Sequence, residues 1–489
     1  MRLPILASLI LVCASTTLSQ SKPVVEDKGN FGLHVVNDSI RLHQYLEREN
    51  QLLLIGHDHL QLLDLTNFKV VETRPLKLPY NDVRSDYDSN DWAISPDGRH
   101  IVLTGLTEAR TKTKTENKQA AWVLDLQSGK RIALLDQPDR IRSTQWSKNG
   151  KTLMTMDASA VDLFTRTLTV SFWDGETFAY SKTIVVENVT WIYLSDDGER
   201  FFAASGKRKN LLGVNYVSDS NSVIRIWKTR TGEIEKTIAV GDAQFEPKTR
   251  EIAISPDEKF LLLVNKHKSV SSETRLLAWE IDGDVKPKYE LSPQPKIDDS
   301  RIEFSPDGTY FAVDVGKNLQ IYETATGKMR VELANVDLPS WGWLGNDVLA
   351  SVDYKQKNFF KQGKVLKAFD ANDGRMLFSQ RLEYDEIEQP GFTGNEDEKI
   401  VVVDTGLRPH PFRKVFLTVS NLAVKIFDSR SGELLQTVVE PLIRIDLKGK
   451  VKKTHGNTVL SADWSKDGNA LYVFSANHTS VSLWKLATD

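Results

Sequence analysis

One four-residue turn is written six times along this chain, and it limits the possible folds more than any other feature. Ser95-Pro96-Asp97-Gly98, Ser147-Lys148-Asn149-Gly150, Ser195-Asp196-Asp197-Gly198, Ser255-Pro256-Asp257-Glu258, Ser305-Pro306-Asp307-Gly308 and Ser465-Lys466-Asp467-Gly468 share one pattern. Proline presets φ at the second position, Asp or Asn suits the third, and Gly accepts the left-handed conformation that closes the turn. Each turn lies between short apolar runs of strand length, so the repeat is a hairpin of antiparallel sheet.

A third run follows each hairpin and ends on an apolar residue, most often with an acid after it. The series is Leu63-Asp64, Leu124-Asp125, Trp173-Asp174, Trp227-Lys228, Trp279-Glu280, Tyr322-Glu323, Phe369-Asp370, Phe427-Asp428 and Trp484-Lys485. A second glycine turn comes next in several units, as in Gln127-Ser128-Gly129-Lys130 and Arg430-Ser431-Gly432-Glu433. Units seven and eight carry degenerate first turns, Leu344-Gly345-Asn346-Asp347 and Thr393-Gly394-Asn395-Glu396. Unit one has only Arg48-Glu49-Asn50.

Strand, Asp-Gly turn, strand, aromatic-acid strand, Thr-Gly turn, strand: this order resembles the WD-repeat β-propeller family, in a bacterial-type secreted form. The resemblance covers nearly the whole chain after its first residues. It implies an all-β fold, a single closed β-propeller of four-stranded antiparallel blades with the first strand of each nearest the axis. The nine markers predict eight or nine blades, or seven if other units decorate the ring. The family's Gly-His pair is missing from most units, and only His455-Gly456 carries it, reversed. Seams held by apolar packing are therefore expected in place of a His, Asp and Trp network. The final unit supplies three strands, so Phe31 to Val36 is expected to add the fourth and close the ring between the termini, removing an open edge. The domain reading is a signal peptide at 1–19, a short lead at 20–30 and the propeller at 31–489.

Arg2, the apolar run Leu3 to Ala14 and the small residues up to Ser19 have the form of a secretory signal, with cleavage expected before Gln20. The run is shorter than the roughly 20 residues needed to span a bilayer. A secreted or periplasmic location follows, with no membrane span left after cleavage. Cys13 is the only cysteine and lies in that segment, so disulfides and cysteine metal sites are not expected in the cleaved chain. Asn37-Asp38-Ser39, Asn188-Val189-Thr190 and Asn477-His478-Thr479 are glycosylation acceptors only in a eukaryotic secretory pathway.

No nucleophile elbow, phosphate loop, paired-histidine metal helix or haem-attachment pair is present. No cofactor and no catalytic residue are therefore assigned. His57 and His59 could share one face and bind a metal with a distant carboxylate, but no third ligand can be named and His57-Asp58-His59 reads as an exposed turn; the acids Asp82, Asp86, Asp88 and Asp91 lack calcium-loop spacing and read as a solvated loop. Ten of the eleven tryptophans fall at the marker or in a first strand and read as packing between blades, with Trp341 and Trp343 the pair to watch at the axial channel.

The formal charge of −3 predicts no general attraction to nucleic acid or membranes. Its distribution is uneven. The segments joining second to third strands, taken as 106–119, 157–167, 206–220, 266–274, 354–364 and 405–414, hold seventeen positive and six negative residues. Their net is +11, which leaves −15 for the rest of the cleaved chain. The candidate partner-binding residues are Arg110, Lys112, Lys114, Lys207, Arg208, Lys209, Lys266, Lys268, Lys355, Lys357, Lys361, Lys364, Arg408, Arg413 and Lys414, with Phe359, Phe360 and Phe412 as apolar anchors. The reading is a monomeric, non-catalytic scaffold that binds another protein or an anionic ligand through these loops; the competing reading of the loops is that they are only solvated guards of blade edges. The alternative is a propeller enzyme, lactonase-like or quinoprotein-like, with its site at the channel mouth.

Overall fold

A computed structural model of the chain describes residues 25–31, 42–46, 49–56, 58–76, 92–106, 119–135, 141, 143–157, 167–211, 214–240, 245–267, 274–291, 301–315, 318–334, 336, 341–358, 361–382, 385–388, 399–402, 406–419, 424–439, 442–445, 451–454, 459–475 and 481–486. These residues form nine four-stranded antiparallel sheets and two two-stranded hairpins. The four-stranded sheets are the blades.

Blade 1 shows why the sequence folds this way. Its strands Leu42–Leu46, Gln51–Ile55, His59–Asp64 and Lys69–Pro75 pair in chain order. Leu52, Leu53, Leu54 and Ile55 are all buried, an uninterrupted run instead of the alternation of a half-exposed sheet. Such a run is needed when a sheet stands between two neighbours and hides both faces. Leu52 and Leu54 pack with Phe474 and Leu483 of blade 9, while Leu53 and Ile55 pack with Ile94 and Leu103 of blade 2. Alternate side chains on one strand thus serve opposite neighbours.

The same division holds around the molecule. Nine apolar clusters each join two adjacent blades, and one of them joins the last blade to the first. The fold is therefore a closed ring of nine blades, within the expected range of eight or nine. All nine marker residues lie at or near the ends of third strands, from His59–Asp64 to Val481–Leu486. Trp173 donates from Nε1 to Thr155 Oγ1 and Trp279 to the Val285 carbonyl, each inside its own blade, while Trp343 donates across a seam to the Glu303 carbonyl and Trp464 to that of Arg408, so polar ties add to the apolar packing expected at the seams.

Blade 9 is completed by the N-terminal strand Val25–Phe31, which runs antiparallel to Val481–Leu486 and pairs Val25 with Leu486 and Phe31 with Val481. Closure between the termini is as expected, but the strand lies six residues earlier than the Phe31 to Val36 stretch, in what read as a lead. Outer strands explain the difference. Lys69–Pro75 of blade 1 is exposed along almost its whole length, so an outer strand needs backbone pairing more than apolar side chains.

Candidate functional site

The antiparallel strand order gives the ring two faces. Turns between first and second strands, and between third and fourth, open on one face. Connections between second and third strands, and from blade to blade, open on the other. The first can be called the turn face and the second the hairpin face.

Among the described residues, three blades extend beyond the ring on the hairpin face. In blade 4 the second and third strands are Arg200–Leu211 and Val214–Lys228, and their pairing continues from Lys207 opposite Ser218 to Leu211 opposite Val214. In blade 7, Val348–Asn358 and Lys361–Asp370 continue through Lys355 opposite Gly363 to Asn358 opposite Lys361. In blade 5 the first strand, Phe245–Ile254, is lengthened and meets Phe260–His267, with Glu246 opposite Lys266. The third strand of blade 4 packs against that lengthened strand. Segments expected as loops in blades 4 and 7 are thus two-stranded arms, whose backbone groups pair with each other.

This arrangement places Lys207, Arg208, Lys209, Lys266, Lys355, Lys357, Lys361 and Lys364 on backbone of one face. Arg110, Lys112, Lys114, Lys268, Phe359 and Phe360 lie outside the described residues, as do His57 and the acids from Asp82 to Asp91. Arg408, Arg413 and Lys414 do not belong with this set. Arg408 is in the first strand of blade 8, Gly406–Pro409, and Arg413 and Lys414 lie in the turn to the second strand, Val415–Val419. They are on the turn face. The expected turn of that unit, Thr393 to Glu396, is outside the described residues; the actual turn was hidden because His410 stands where six other blades have serine.

The turn face is built tightly. In blade 6 the Ser305 hydroxyl donates to Asp307 Oδ1 at 2.7 Å and accepts from the Tyr310 amide at 3.0 Å, while the Gly308 amide donates to the Ser305 carbonyl. Burial pushes the Asp307 carboxyl up, but the Ser305 hydroxyl and the Thr309 amide outweigh it and hold the group below its ordinary value. Neighbouring turns are also tied together. Asn149 Nδ2 donates to the Asp197 carbonyl at 2.8 Å, Asp307 N donates to Asn346 Oδ1 at 3.1 Å, and Arg430 of blade 8 pairs with Asp370 and Asp347 of blade 7.

Near the axis, Trp341 and Trp343 are buried in the seam between blades 6 and 7, so they are not channel-facing aromatics. Arg301 lies over the Trp341 ring, 5.2 Å from its centroid, and pairs with Glu303 at 2.5 Å. Burial raises the Glu303 and Asp314 carboxyls, with Arg301 opposing it at both. Arg301 also donates its amide to Asp314 Oδ1. Burial likewise raises Asp463 in blade 9. Among the described residues no three His, Cys, Asp or Glu side chains converge as a metal would require.

No family model and no curated protein matches this chain. Solved structures do. A crystal structure described as a eukaryotic initiation factor superposes with a TM-score of 0.51 at 14% identity, covering 88% of this chain and 94% of that one. The likeness is one of fold, a β-propeller. The C-terminal WD40 domain of Sif2 aligns more loosely, with a TM-score of 0.42 at 11% identity over 95% of this chain and 99% of that one. The hydrazine synthase of Kuenenia stuttgartiensis aligns with a TM-score of 0.36 at 16% identity over 84% and 99%.

Two hairpins lie between blades: the one flanking Thr393 to Glu396 was expected as the first hairpin of blade 8 but stands outside the blade, and the other has no counterpart in the sequence reading. Asp385–Glu388 pairs with Lys399–Val402 between blades 7 and 8, and Leu442–Ile445 pairs with Val451–Thr454 between blades 8 and 9. Asp385–Glu388 packs against Val451–Thr454. The available signal was charge. Asp385, Glu386 and Glu388 mark the first hairpin, and Lys448, Lys450, Lys452 and Lys453 mark the second.

Proposed function

We propose that this WD-like propeller is a non-catalytic, extracytoplasmic binding scaffold that acts as a monomer and uses its hairpin face to dock an acidic protein surface or another anionic ligand. The blade 7 arm carries the argument. It extends past the ring and holds Lys355, Lys357, Lys361 and Lys364, with no acid between Tyr354 and Lys364. Basic groups gathered on one side of an otherwise acidic molecule raise the local concentration of anions and speed their association. Secretion rests on the charged, apolar and small-residue order of the first nineteen residues.

The axial carboxyls do not favour the enzyme reading. Arg301 engages both Glu303 and Asp314, which gives each a role in the blade 6 to 7 seam.

The test uses residues 20–489 titrated with poly-glutamate at low and high salt. Binding that weakens with salt and disappears when Lys355, Lys357, Lys361 and Lys364 are all changed to Glu supports the reading. Equal binding by that variant rejects it. A reporter fused to residues 1–30 and retained in the cytoplasm would reject the extracytoplasmic part alone.

A further inference from the structure

The turn of blade 8 departs from its counterparts in a way the fold does not require. His410 occupies the serine position, and its amide donates to the Val415 carbonyl five residues on, as Ser95 does to His100. The imidazole then replaces two side chains at once. Its Nδ1 accepts from the amides of Phe412 at 3.0 Å and Arg413 at 2.8 Å, and its Nε2 reaches the Gly468 carbonyl of blade 9 at 2.9 Å. Nδ1 is an acceptor in both bonds, so the neutral ring carries its proton on Nε2 and donates to Gly468.

With the histidine supplying the acceptor, the third position no longer needs a carboxylate. Phe412 stands where the other turns have Asp97, Asn149, Asp197, Asp257, Asp307 and Asp467. It is 75% exposed, the most exposed of the large apolar side chains described. Arg413 and Lys414 follow it and are exposed as well. One turn has thus exchanged an inward-bonded acid for an outward aromatic beside two bases.

The geometry points to a second docking site, on the turn face, for an acidic peptide segment of a partner protein that covers Phe412 with an aliphatic or aromatic side chain and pairs its carboxylates with Arg413 and Lys414. Charge decides the class of partner. The first turns of blades 4, 5 and 6 carry more acid than base, as at Asp196, Asp197 and Glu199 in blade 4 and Asp257 and Glu258 in blade 5, so a broad anionic surface such as a lipid bilayer meets repulsion on that side of the ring. The blade 3 turn is basic too, with Lys148 and Lys151, but Lys148 pairs with Asp196 of blade 4 and no exposed aromatic stands in that turn, so a narrow acidic segment finds an aromatic beside its bases at the blade 8 turn. An exposed aromatic next to arginine has the chemistry of an interface anchor. This site is separate from the hairpin face and does not depend on it.

The test exploits the repeat. In H410S/F412D/R413G, blade 8 receives the Ser-Pro-Asp-Gly turn that blades 2 and 6 already use, so the ring keeps a turn that folds in this context. The probe is a fluorescent synthetic peptide of glutamate and leucine, followed by anisotropy at low salt, with wild type expected to bind. The consensus-turn variant is expected to weaken binding about tenfold or more, while the blade 7 Lys-to-Glu variant leaves the F412-dependent component intact. Equal peptide binding by wild type and H410S/F412D/R413G overturns the inference. So does binding of wild type to phosphatidylserine vesicles but not to the peptide, which would assign the turn to membranes.

Discussion

Gln436 holds the backbone of Val25 with both ends of its amide, accepting from Val25 N at Oε1 and donating to Val25 O from Nε2, each at 2.9 Å. Gln436 belongs to the outer strand of blade 8, so the N-terminal strand is fastened to two blades, by main-chain pairing to blade 9 and by this amide to blade 8. Val25 itself is buried with Leu417 and Val438 of blade 8 and Leu486 of blade 9. Gln436→Ala is expected to destabilise the ring by about 1–3 kcal/mol, because two main-chain groups lose their partner. Urea denaturation measures this, and faster proteolysis near Val25 should accompany it. An unchanged midpoint would show that the amide contributes nothing to closure.

Glu258 is a different kind of joint. It sits at φ 56° where the equivalent turns have glycine at φ near 70°, and its carboxylate accepts from the Tyr193 hydroxyl and the Asp196 amide of blade 4, both at 2.6 Å. Burial, followed by the Glu258 carboxylate, raises the Tyr193 hydroxyl strongly. The strained backbone is held for the sake of a bond between blades. Glu258→Ala keeps the left-handed backbone and loses both bonds, so it is expected to cost about 1–3 kcal/mol. Glu258→Gly removes roughly 1 kcal/mol of strain while losing the same bonds, and should fall between Ala and wild type. Thermal melts of the three proteins give the ranking; alanine equal to wild type would contradict it.

His410 makes stability depend on pH in a defined direction. Burial holds the imidazole below its ordinary value of 6.5, Arg413 lowers it further, and the Gly468 carbonyl and Asp467 oppose them. The folded state therefore resists the proton that the unfolded chain accepts. Its contribution is fully present above 6.5 and is lost as pH falls through the lower folded-state value. The consensus turn of H410S/F412D/R413G lacks this group. By denaturation midpoints, wild type should lose stability relative to H410S/F412D/R413G as pH falls below 6.5. Parallel profiles over that fall in pH would contradict the assignment.

Much of the fold was legible because its signals are local. A turn that binds its own serine, aspartate and glycine needs nothing from the rest of the chain, so Ser305 to Gly308 announces itself. The apolar residue ending each third strand marks the seams in the same way, and Leu63 through Trp484 counted the blades. What escaped was local information replaced by equivalent chemistry. His410 performs the serine's and aspartate's bonding with one ring, so blade 8 was put out of register and Arg408, Arg413 and Lys414 were assigned to the wrong face. The closing strand escaped for the opposite reason: Val25–Phe31 is specified by pairing along Val481–Leu486, a relationship between chain ends that no local pattern carries. The arms of blades 4 and 7 were read as basic segments, but their pairing depends on cross-strand register that charge alone does not encode.

Ring closure by the N-terminal strand is the relationship on which both faces depend, and a crosslink tests it most directly. Residues 20–489 contain no cysteine, and Glu26 lies opposite Lys485, both exposed. Oxidising the E26C/K485C double variant should give an intramolecular disulfide in the folded monomer and a melting temperature above that of the reduced protein. Failure to crosslink while folded, or crosslinks only between two chains, would contradict a ring sealed by its own first strand.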